Sequence, residues 1–320
     1  MKKKLLPLAI AAAMVPGFAA AADVSGFTDI TYTISDDQTA ATPSTTEGKF
    51  VANAEVDFSA SPADGVTVRV DVDLALAGNG GGNAGLSGPA DSATIEQAFF
   101  AWGATEGVTV LGGVFNNPIG MECGDAPCMW GTQGGVVGNI LNNQTTLAGN
   151  NVAGLAAAFA VGPATVTVGY LNDLQQADEE NSVALVVNYS PMEGLDLELG
   201  TATQKTGAED VLDLNVSYAI PGVEGLSVAL DYLSPDKVID SAYELMVDYT
   251  TGPFGAGVRI ENVDYTGGNE NERTTFHVSY QVASNLVAIL EVADGDVKQA
   301  GGVDGIEHDG LTTLELIATF

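Results

Sequence analysis

Three sets of side chains in this 320-residue chain have types and spacings that could do chemistry. His277 and Ser279 lie two apart, so an extended backbone puts them on one face, the residue types of a base and its nucleophile. No third residue that would orient the histidine and no oxyanion donors are evident nearby, so catalysis is not expected. Cys123 and Cys128 frame the stretch Cys-Gly-Asp-Ala-Pro-Cys. No histidine or further cysteine accompanies them, which favours a small disulfide ring in an exported protein over a metal site. No metal and no cofactor is expected.

The third set is the largest. Carboxylates alternate with apolar residues: Asp71 and Asp73 with Val68, Val70, Val72 and Leu74; Asp196 and Glu198 with Leu195, Leu197 and Leu199; Asp213 with Leu212 and Leu214; Glu244 and Asp248 with Tyr243, Leu245, Val247 and Tyr249. Asp29, Glu55, Asp57, Asp231, Glu261, Glu291 and Glu315 fall on the same side of their own segments, and the cations that join them there are Lys49, Arg69, Arg259 and Arg273. Charges arranged this way do electrostatic work on whatever passes the wall they share. Glu122 and Asp125 stand apart from the alternation, in the stretch 117–150.

The elements that must carry these residues are extended. In Leu311–Phe320, Thr312, Leu314, Leu316, Ala318 and Phe320 share one face, and Glu315 lies on the other. Seven further segments end on an aromatic just before a short turn: Phe58, Trp102, Phe159, Tyr189, Tyr218, Tyr249 and Tyr280, with Pro or Gly in all but one of the turns that follow. An aromatic at the same end of every hairpin is what a membrane-surface girdle requires. The pattern predicts sixteen strands, near 23–34, 47–60, 65–76, 93–104, 107–116, 151–160, 163–171, 181–190, 194–204, 210–219, 225–233, 241–250, 253–264, 271–282, 285–293 and 310–320. At 93–104, Phe99 and Phe100 are adjacent and no clean face emerges. Short turns alternate with longer loops, of which 117–150 is the longest. Loops above about 12–15 residues are usually functional or disordered.

Residues 1–22 form a secretory signal, with Lys2, Lys3 and Lys4, an apolar run Leu5–Val15 and Ala20–Ala22 as the cleavage site, leaving 23–320 as one domain. No other run approaches the roughly 18 apolar residues of a membrane helix. A membrane location therefore requires a closed β-barrel, with the carboxylates facing a wet interior, because a charge facing lipid costs about 2–4 kcal/mol for Arg or Lys and less for Asp or Glu. The formal charge of −32, with 42 acidic and 10 basic residues, excludes nucleic acid and anionic surfaces as partners held by charge.

In its Ala-Asp-Val start after the signal, its sixteen-strand rhythm, its closing strand ending at Phe320 and its long loop after Phe115-Asn-Asn-Pro-Ile-Gly120, the chain resembles the general porins of the Gram-negative outer membrane. The resemblance implies an all-β transmembrane antiparallel barrel with short periplasmic turns and long external loops, one of them, 117–150, folded into the pore as a constriction with Glu122 and Asp125 placed there. It also implies a homotrimer, and a Phe320 that the barrel-assembly machinery reads. Porins set an acidic loop against a cluster of basic residues; here Lys49, Arg69 and Arg259 are few against Glu55, Asp57, Asp71, Asp73, Glu122 and Asp125, which points to cation preference. The expectation is passive diffusion of small hydrophilic solutes and cations, in contact with outer-membrane lipid and lipopolysaccharide. A substrate-selective pore and a plugged barrel serving as anchor or adhesin remain alternatives. The glycine run 78–83 reads as a flexible external loop, and Asp178–Glu180 and Asp294 with Asp296 as solvated acidic patches.

Overall fold

The computed structural model describes residues 22–37, 44–75, 92–145, 147, 150–174, 180–204, 210–298 and 307–320. The expected signal segment up to residue 21, the 78–83 glycine run and residues 178–179 lie outside them, as do the side chains of Lys49 and Asp296. Strands β1 (Asp23–Asp37), β2 (Ser44–Ala63), β3 (Val66–Ala75), β4 (Ser92–Thr105) and β5 (Val108–Asn116) precede a helix α1 (Val136–Asn143). Then follow β6 (Asn151–Val161), β7 (Ala164–Leu171), β8 (Ser182–Met192), β9 (Leu195–Ala202), β10 (Val211–Ala219) and β11 (Leu226–Pro235). The last five are β12 (Ile239–Thr251), β13 (Phe254–Tyr265), β14 (Glu270–Ala283), β15 (Leu286–Lys298) and β16 (Glu307–Thr319). Each strand pairs antiparallel with its neighbours in sequence, and β1 pairs with β16, from Phe27 opposite Thr319 to Asp36 opposite Gly310. Gly26 and Phe320 extend this seam by exchanging backbone hydrogen bonds of 3.3 and 3.1 Å. The ring has no open edge, so every strand backbone has a partner without help from lipid.

Sixteen strands stand where the alternation puts them, and several run further into the loops: β15 reaches Lys298, so Asp294 sits on a strand and not in a loop. Side chains sort by parity as the pleat demands. In β8, Val183, Leu185 and Tyr189 face outward and Ser182, Ala184 and Val186 are buried inside. Phe58, Trp102, Phe159, Tyr189, Tyr249, Tyr280 and Phe320 are exposed at one rim; Tyr218 is half-buried.

The faceless segment has a mechanical cause. Asp71 lies opposite Gln97 but Val72 lies opposite Ile95, so β4 carries one extra residue, Glu96. This β-bulge turns Glu96 and Gln97 inward together, while Ile95 on the lipid side is 65 % exposed. Parity restarts behind it, with Phe100 and Trp102 outward and Ala101 buried inside.

The interior is less wet than the alternation implies. Ile119, Val137 and Leu141 of the 117–150 stretch are buried together with Phe115, Val152, Leu171, Ala184, Val186, Ala202, Val211, Leu233 and Ala242 from the wall. These inward apolar residues seat the loop and its helix, each large one contributing about 1.5–3 kcal/mol.

At the opposite end of β11 and β12, two turn glycines differ in a testable way. Gly225 (φ +86°) has its missing Cβ position 1.9 Å from the Thr250 carbonyl oxygen, whereas Gly252 (φ +55°) has open space around it. Gly225→Ala is expected to lower unfolding stability by roughly 1–3 kcal/mol, and Gly252→Ala by about 1 kcal/mol. Urea titrations of the refolded barrel should show two unequal shifts; equal midpoints would refute the close approach.

Candidate functional site: the loop across the lumen

The loop leaves β5 through a neck in which Asn117 N–H donates to the Asn150 carbonyl at 2.9 Å, then crosses inside the barrel. Its irregular backbone needs acceptors, and the inward carboxylates provide them. Gly120 N–H donates to Glu198 at 3.1 Å, Met121 N–H to Asp231 at 3.2 Å, Thr132 N–H to Glu291 at 2.7 Å and Val136 N–H to Glu261 at 2.9 Å. The four acceptors sit on β9, β11, β15 and β13, and all are buried. Glycine permits the approach: a Cβ on Gly135 would lie 1.8 Å from a Glu244 oxygen.

One wall cation clamps the middle of the loop. Arg259 is fully buried, donates to Glu122 at 3.2 Å and to the Gln133 carbonyl at 2.8 Å, lies 3.3 Å from Glu261, and has its guanidinium 5.1 Å from the Trp130 ring centre. Arg273 adds bonds of 2.5 and 2.7 Å to Glu261 and one of 2.9 Å to the Gly134 carbonyl. Glu122 also accepts Trp130 N–H at 3.0 Å and Gly135 N–H at 2.5 Å, and its side chain is only 5 % exposed. Glu122, expected at the constriction, is thus nearly shut from solvent and latches the loop to Arg259. His277 does have an orienting acid, Asp248 at 3.3 Å, contrary to the sequence reading. Its ring meets Trp130 of the loop edge-on with centroids 4.3 Å apart.

The tip beyond the latch is closed by the Cys123–Cys128 disulfide, with Cα atoms 6.0 Å apart. Cys128 and Met129 N–H donate to the Asp125 carbonyl at 2.9 and 3.0 Å, folding the ring tightly. This places the Asp125 side chain against β2 and β3, where a cavity of about 250 Å³ is lined by Ser25, Glu55, Asp57, Arg69, Asp125 and Pro127 among others. Arg69 donates through Nε to both Asp71 oxygens at 2.7 Å and through Nη2 to Asp57 at 3.3 Å, yet its side chain stays 34 % exposed. Burial pushes the Asp125 carboxyl above its ordinary range, with the Arg69 charge opposing.

The predicted residues therefore divide into two places. Glu55, Asp57, Arg69, Asp71 and Asp125 come together at the tip, with Asp73 half-buried further along β3, and Glu122 and Arg259 form the separate latch. The backbone of Lys49 lies on β2 opposite Thr33. Trp130 and Glu96 were missed: a lone tryptophan carries no periodic signal, and the bulge hid Glu96. Arg259→Met keeps side-chain volume but leaves Glu122 and Glu261 without their shared cation. It should lower stability by roughly 3–5 kcal/mol and open 117–150 to proteases in native detergent. Wild-type stability with an uncut loop would refute the latch.

A family model described as Gram-negative porin matches residues 8–300. Among solved structures, an anion-selective porin from Comamonas acidovorans shares 14 % identity with a TM-score of 0.65, over 94 % of this chain and 99 % of that one. A triple mutant of the Rhodopseudomonas blastica porin shares 13 % identity with a TM-score of 0.63, over 94 % of this chain and all of that one. No curated protein sequence matches. With the closed sixteen-strand ring and a family match spanning nearly its whole length, the chain belongs to the Gram-negative porin family.

Proposed function

We propose that the chain is a general outer-membrane diffusion channel for small hydrophilic solutes and ions, with a preference for cations. The observation that carries the selectivity is the charge around the tip cavity: Arg69 is the one cation there among the described residues, bound to Asp57 and Asp71, while Glu55 from the wall and Asp125 from the loop line the same cavity. Arg259 and Arg273 are likewise bound to carboxylates. The Comamonas porin is named as anion-selective, and at such low identity the likeness concerns the fold; the sign of selectivity follows from the side chains each lumen presents.

The same proposal includes removal of residues 1–22 on export, assembly as a homotrimer, recognition of the Phe320-terminated strand by the barrel-assembly machinery, and contact with outer-membrane lipid and lipopolysaccharide. Asp57, Asp73 and Arg69 line the water-filled part of the passage and Asp125 its loop side. The depth of burial of Glu244, Glu261 and Glu291 under the loop favours a second reading, a plugged barrel acting as an envelope anchor.

Planar-bilayer recordings of the refolded chain under a KCl gradient test both readings. Current steps in threes with a cation-selective reversal potential are expected, and the selectivity should fall as KCl rises from about 0.1 M to 1 M and the screening length shrinks from about 10 to 3 Å. Asp57→Asn with Asp73→Asn should weaken it. Anion selectivity would overturn the charge assignment, and silence from folded protein would favour the plugged anchor.

A further inference from the structure

Where the loop tip meets the wall, five carboxylates from four segments converge: Glu55 and Asp57 on β2, Asp71 on β3, Glu96 on β4 and Asp125. Within this group Glu55, Glu96 and Asp125 each place a carboxylate oxygen within 4.8 Å of the other two. Arg69 is committed to Asp71 and Asp57. Among the described residues, this leaves the other three without an ion-pair partner.

Glu96 supplies an independent observation. It is only 6 % exposed, turned inward by the bulge, and accepts from Asn151 Nδ2 through Oε1 at 3.2 Å. Its Oε2 is shut from solvent with no hydrogen-bond partner among the described residues. A buried carboxylate that sits beside two others and has one oxygen without a donor lacks a counter-charge. Oxygens up to about 4.8 Å apart can share one cation whose oxygen ligands lie at about 2.3–2.6 Å. All the donors are hard, and the neighbouring thiols are closed in a disulfide, which disfavours soft metals.

We propose that Glu55, Glu96 and Asp125 bind a divalent cation of the Ca²⁺ class, tying the loop tip to β2 and β4. Ca²⁺ suits the site better than Mg²⁺, which demands a tighter octahedron and dehydrates reluctantly. The proposal goes beyond the channel reading and stands without it. No sequence pattern announces the site, because its ligands are scattered over three segments and one of them sits at a bulge.

The test is calorimetric titration of CaCl₂, and separately MgCl₂, into refolded full-length protein stripped of divalent ions. Saturable Ca²⁺ uptake is expected, weakened about tenfold or more by Glu96→Gln and similarly by Asp125→Asn, with Mg²⁺ binding more weakly. Asp125 lies on the loop and not in the barrel wall, so its variant covers the case in which Glu96→Gln does not fold. No saturable uptake by the wild type, or uptake unchanged in folded variants, would overturn the site. KCl-gradient recordings on the same samples separate the two ideas. Cation selectivity without Ca²⁺ uptake overturns the site and leaves the channel reading; Ca²⁺ uptake with anion selectivity does the reverse.

Discussion

An irregular segment cannot enter a barrel unless the wall answers its backbone. Strands satisfy themselves through the ladder, but the N–H groups of the 117–150 loop have no ladder, and each one buried without a partner costs on the order of 1–3 kcal/mol. Here the partners are wall carboxylates: Glu198, Asp231, Glu261 and Glu291 each accept from a loop N–H. Much else follows from that need. Gly135 must be bare for the wall to come close, Arg259 and Arg273 balance the charge that the acceptors bring, and the apolar seat under Ile119 and Leu141 fixes the depth of the loop.

This changes the meaning of the acidic composition. An alternating strand shows which face a carboxylate takes, but it does not show whether that face meets water or another piece of chain. Asp213, Glu244 and Glu261 point inward as the alternation requires, and all are sealed. Open charges remain in turns and at strand ends, as at Glu106, Asp236 and Asp240, and beside the loop tip, where the Arg69 side chain stays 34 % exposed.

Strand number, pairing order and face were legible because the pleat's period of two is local and every strand repeats it. Two things were not. The Glu96 bulge breaks the period by one residue, and a single strand offers no register against which to notice the slip; only the Asp71–Gln97 pairing reveals it. The loop contacts join residues far apart in sequence, as Glu122 to Arg259, and no local pattern encodes which inward cation meets which loop carboxylate. The helix Val136–Asn143 and its apolar seat were not read from the sequence, although β6 and β8 carry apolar residues on both faces, which a purely aqueous lumen does not call for.

The β1–β16 seam also orders events in time. It joins Phe27 to Thr319, nearly the whole chain apart, so its closure entropy is large and its formation belongs late in folding. The loop's anchors on β9 to β15 are made of chain that follows the loop in sequence, and so they too arrive after it. Until the C-terminal half is in place, the loop has neither acceptors nor a seat. The last strand closes the ring that lipid demands, and it follows in sequence the strands β9 to β15 that carry the loop's acceptors.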